Sequence, residues 1–133
     1  MLDLQYGFTR TLKGVSYEAA RGRIEAALKE EGFGILTEID VKATLKAKLN
    51  VEFANYVILG ACNPTLAHQA LGVDPGVGLM LPCNVVVTQD DQGNAVIAVL
   101  DPQSMLKVMD DPSPLEKTMQ EARERLQRAL DKA

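Results

Sequence analysis

At 133 residues, with 47% hydrophobic and 24% charged positions, the chain has the balance of one globular domain over 1–133, able to bury roughly two-thirds of its unfolded surface without a disulfide or metal. A net charge of −4 without a Lys/Arg stripe argues against nucleic acid as a partner, and the lack of Trp removes stacking platforms for single strands. No apolar run reaches transmembrane length, so no membrane partner is expected, and the alternating start MLDLQYGFTRTLKG does not read as a signal peptide; the expected compartment is the cytoplasm, where Cys62 and Cys83 stay reduced.

In LDLQYGF, Leu2, Leu4, Tyr6 and Phe8 alternate with Asp3, Gln5 and Gly7, the period of a half-buried strand. Ser16 is placed to cap a helix over 16–31, with Glu18 in its first turn, Tyr17, Ala20, Ile24, Ala27 and Leu28 at helical spacing, and Gly32 beyond its end. FGILTEIDV returns to period two, with Phe33, Ile35, Thr37, Ile39 and Val41 expected on one face of a second strand. Val41, Leu45 and Leu49 then mark a short amphipathic helix, and YVILGA a buried strand over 56–61. Asn63-Pro64 opens the next helix, with Asn at the cap and Pro at its first turn, and Gly72 is expected to end it. VDPGVG reads as a turn-rich connection.

NVVVTQ and NAVIAVL flank DDQG, a hairpin signal with Gly93 free to take positive φ. Asp101-Pro102 starts a short helix to about Met109, DDPSP breaks it, and a last helix over 114–132 carries Leu115, Met119, Ala122, Leu126 and Leu130 on one face. The order is strand, helix, four strands, helix, with short helices inserted. It predicts an α+β fold, an antiparallel sheet with the long helices on one face. Strand 95–100 is apolar on both faces, so its second face needs the inserted helices or another subunit; a homodimer is the expected assembly.

Both cysteines precede asparagine, as Cys62-Asn63 and Cys83-Asn84, and each pair adjoins a proline. If strands 56–61 and 84–89 are antiparallel neighbours, the end of one meets the start of the other, and the four residues share a corner beside the helix opened by Pro64. A polarised thiol corner with helix-terminal N–H groups would suit a small ligand or ion. Buried cysteines with capping asparagines would equally suit packing alone. Metal binding has no C-x-x-C support. Met80 near Cys83 is a soft donor or core filler. His68 is expected to be solvated, and a Cys–His dyad lacks support. GVDPGVG has no following Lys-Ser/Thr and is no P-loop, and no cofactor is expected.

The segments ILGACNPTLAHQAL and GLMLPCNVVVTQDDQGNAVIAVLDP together resemble the domain-of-unknown-function 302 family. The likeness runs from the first strand to the Asp101-Pro102 corner, on three spaced markers: Gly60 to Pro64, Leu81 to Val85, and the hairpin ending in Asp-Pro. It implies a fold of the TATA-binding-protein-like type and no particular activity, nor does that likeness import DNA binding. Three readings follow. One is a ligand- or ion-binding module using Cys62, Asn63, Cys83 and Asn84. Another is a thiol enzyme or redox protein using Cys62 or Cys83. The last is an interaction protein acting as a dimer.

Overall fold

The computed structural model describes residues 4–133. The elements are β1 (Gly7–Leu12), α1 (Tyr17–Glu30), β2 (Gly34–Asp40), α2 (Val41–Leu49), β3 (Tyr56–Cys62), α3 (Pro64–Val73), β4 (Cys83–Gln89), β5 (Ala95–Leu100) and α4 (Glu116–Lys132). Three 3-10 turns, Pro75–Met80, Pro102–Val108 and Ser113–Leu115, join them. The fold is α+β: one five-stranded sheet in the order β1-β5-β4-β3-β2, with antiparallel pairing throughout. Helices α1 and α4 pack together on one face of it. Ile24, Leu28 and Leu126 press there against Leu59, Val85 and Ile97, and all six are fully buried.

Local chemistry explains most boundaries. Ser16 caps α1, its side chain accepting from the Ala19 N–H, and Gly32 takes φ +84 just past the helix end. Gly93 takes φ +83 in the β4–β5 hairpin. Helix α3 runs one residue past Gly72 to Val73, and the expected loop at 75–80 is a 3-10 turn whose Val77 is buried.

Two strands differ from the sequence expectation. The first lies at Gly7–Leu12 rather than across Leu2–Phe8; Leu2 and Asp3 lie outside the described residues, and Leu4 to Tyr6 precede the strand. Its inward positions include a charged residue. Arg10 crosses to the end of α4, where Nη1 donates to the carbonyls of Leu130 (2.9 Å), Asp131 (2.8 Å) and Ala133 (3.2 Å). A cation there satisfies C-terminal carbonyls that would otherwise lack partners. In β2 a bulge between Ile35 and Thr37 breaks the single apolar face. Ile35 opposes Ala61 on the helix side, whereas Ile39 opposes Ile58 on the other face and stays 48% exposed.

A buried carboxylate ties α1 to α4. Glu31 accepts from Arg128 Nε (3.0 Å) and Nη2 (2.9 Å), and from Lys132 Nζ (2.6 Å). These hydrogen bonds hold its carboxyl down at about 2, against an ordinary 4.5. Because the folded value is depressed, the contribution is complete above about 4.5 and is lost as pH falls toward about 2. Both cations are half-exposed, so screening keeps the effect small: Glu31→Gln should cost about 1–2 kcal/mol near neutral pH. Urea midpoints of wild type and variant should converge between pH 4.5 and 2. A gap unchanged across that window would show that the ion pairs contribute nothing.

Candidate functional site

The corner forms because β3 and β4 run antiparallel. Ala61 stands opposite Cys83 and Gly60 opposite Asn84, so the C-terminal end of β3 and the start of β4 share one end of the sheet. Cys62, the last residue of β3, lies beside Gly34 of β2. Asn63 then leaves the strand with extended φ −99, ψ 109, and its Oδ1 accepts from the Leu66 N–H at 3.1 Å. The asparagine is a buried helix cap, and Pro64 fills the first turn. Asn63→Ala should cost roughly 0.5–2 kcal/mol, read from denaturant midpoints; an unchanged midpoint would show that the cap contributes no stability.

Gly60 makes the corner tight. A Cβ there would sit 2.1 Å from Thr37 Oγ1 and 2.7 Å from Pro82 Cγ. The close approach brings Pro82, and with it Leu81 and Cys83, against the end of β3. Beneath them, between the sheet end and helices α3 and α4, lies a crevice of about 30 Å³. Cys62, Asn63 and Cys83 line it from the sheet, Ala70 from α3, and Met119 and Thr118 from α4. Its walls are almost wholly apolar.

Both cysteines are free thiols, Cys62 half-buried and Cys83 buried. Burial pushes the Cys83 thiol up to about 12, and the neighbouring Cys62 adds to the rise. Cys83 is therefore a neutral thiol at pH 7, the opposite of an activated nucleophile. The folded protein should show one thiol reacting with an aryl disulfide and one protected, both reacting in denaturant. Two fast thiols in the native protein would contradict the burial of Cys83.

The structure brings Cys62, Asn63 and Cys83 to one crevice and sends Asn84 elsewhere. Successive strand residues face opposite sides, so Cys83 points to the helices while Asn84 is exposed on the open side of the sheet. Asn84 lines a different cleft there, of about 290 Å³, with Tyr6, Tyr56, Val86 and Leu100. Met80 lines a third groove with Val73, Val108 and Met109, and His68 is exposed on α3. Sequence reasoning placed Met119 only as core. Its signal, a residue on the apolar stripe of the last helix, is shared with Ala122 and Leu126.

The model of the family described as Domain of unknown function DUF302 matches residues 8–133. The chain belongs to the DUF302 family. The DUF302 chain is also similar to a crystal structure of an uncharacterized conserved DUF302 protein from Bacillus stearothermophilus, at 32% identity and a TM-score of 0.87 over 97% of this chain and 98% of that one. No curated protein matches the chain. Among the described residues no helix is long and apolar enough to cross a membrane.

Proposed function

We propose that this DUF302 chain is a binding module whose site is the crevice beside residues 60–64 and 81–83, and that its occupant is a single ion. The observation that carries the reading is the crevice itself. It lies where the two Cys-Asn segments meet, yet about 30 Å³ admits one water-sized occupant, far below the roughly 300–1,000 Å³ of a small-molecule pocket. A neutral, buried Cys83 favours binding over thiol–disulfide chemistry. Melting temperatures across a panel of halides and of hard and soft cations test the reading. One ion should raise the melting temperature of wild type and leave that of Ala70→Leu, whose added side chain fills the crevice, unmoved. A panel with no effect on wild type would remove the reading.

A second observation favours assembly as a homodimer. On the sheet face away from α1 and α4, one row of directly opposed residues crosses all five strands: Thr9, Ala98, Val86, Ile58 and Ile39. The neighbouring row of Thr11, Val96, Thr88 and Tyr56 is likewise uncharged. Water-facing sheet surfaces ordinarily carry polar and charged side chains, whereas interface cores are depleted of charge. The segment 50–55 reaches only the far end of this face, where Thr88 Oγ1 donates to the Asn55 carbonyl at 2.7 Å. Five strands about 4.8 Å apart and about six residues long give a face of roughly 24 by 20 Å, near 1,000 Å² for a pair of copies, the lower bound for a specific interface. A second copy is the fitting occupant. Two chains of net charge −4 meet without like-charge contact only through a charge-free surface.

A further inference from the structure

We infer that the crevice takes a soft, thiophilic cation of the copper(I) class, with Cys62 and Cys83 as thiolate ligands and Met119 as a thioether donor. The inference rests on the binding reading above and names the chemistry of that same site. It follows from which donors the walls offer once spent groups are removed. Asn63 Oδ1 is taken by the Leu66 N–H, and Thr118 Oγ1 is turned outward to Gln69 Oε1 at 3.4 Å. The remaining side-chain donors on the wall are sulfurs: two thiols and one thioether. Hard cations require several oxygens, which this wall lacks. Among the described residues no group of three His, Cys, Asp or Glu side chains is placed to hold a metal, so a closed zinc site has no ligand set here. Thiolate and thioether sulfur select copper(I) or silver(I), which accept two- and three-coordinate sulfur sites.

The chemistry balances without an oxidant. Each thiol passes its proton to solvent as its metal–sulfur bond forms, the metal keeps its oxidation state, and Met119 binds through a lone pair with no proton exchange. A monovalent ion on two thiolates carries one negative charge. Helix α3 presents its N-terminal end at Asn63 and Pro64, on the same wall, and the partial positive charge there offsets that anion. The crevice also explains how an ion reaches a buried sulfur: it admits a bare cation and excludes a bulky thiol reagent.

Silver(I), as an air-stable probe, tests the assignment on the reduced full chain, with anaerobic copper(I) against a competing chelator as confirmation. One equivalent should bind and raise the melting temperature. Cys62→Ser and Cys83→Ala should each weaken binding about 100-fold or more, and Met119→Leu about 10-fold, while metal-free melting confirms that each variant is folded. Binding lost in Cys62→Ser but unchanged in both Cys83→Ala and Met119→Leu would be capture by one half-buried thiol and would overturn the inference. If silver(I) has no effect while a halide or zinc(II) stabilises wild type but not Ala70→Leu, the soft-metal assignment falls and the binding reading stands. If no ion in the panel binds, both fall.

Discussion

Gly60→Ala should destabilise the protein by about 2–3 kcal/mol, a large share of the 5–15 kcal/mol that holds an ordinary domain together. The added Cβ would lie far inside contact distance of Thr37 Oγ1, at 2.1 Å, and of Pro82 Cγ, at 2.7 Å. Thr37 can rotate its hydroxyl aside. The Pro82 ring cannot turn in that way, so β3 or the 81–83 segment must move. The segment that would yield also forms one wall of the crevice, so the variant should lose stability and ion response together. Denaturant midpoints give the first effect. Thr37→Ala in the Gly60→Ala background should recover part of the loss, because it removes one of the two clashes. A midpoint within about 0.5 kcal/mol of wild type would show that the corner is loose, contrary to the close approach described.

Val86→Arg should convert a dimer to a monomer while leaving the fold intact. Val86 is half-buried on the open sheet face, at the middle of the charge-free row, with Ala98 on one side and Ile58 on the other. An arginine there leaves two desolvated cations at the centre of a symmetric interface, each without a partner. Burying an unpaired charge costs several kcal/mol, so dissociation should strengthen by more than about 100-fold. In the monomer the same arginine extends into solvent, and melting at low concentration should change little. Light scattering or sedimentation at micromolar concentration measures both forms. A wild-type mass of one chain throughout the accessible range would remove the dimer outright.

The helices were readable because their ends carry local chemistry. Ser16, Asn63-Pro64 and the Asp101-Pro102 corner each set a boundary within a few residues. The hairpin at Gly93 fixed the pairing of β4 with β5, and the apolar runs of β3 and β4 marked central strands. Strand β1 was misplaced because its inward position 10 is an arginine, whose partners are carbonyls 120 residues or more away in sequence. Strand β2 was misread because a bulge changes which residues share a face, and no turn residue announces it. At the corner, the meeting of Cys62 and Cys83 followed from strand order. The separation of Asn84 from Cys83 was available from period two alone, had the pair not been read as a unit. Met119 was not legible. It sits on an apolar helical stripe, and only the packing of α4 over the sheet end distinguishes it from its neighbours.

The most direct measurement is an anomalous difference map from crystals of the reduced protein soaked in dilute silver(I), collected at a wavelength where silver scatters anomalously. The account predicts one dominant peak per chain, inside the crevice and bridging the sulfurs of Cys62 and Cys83, with Met119 at its edge. A crevice left empty, with silver only at exposed sites elsewhere on the chain, would contradict it.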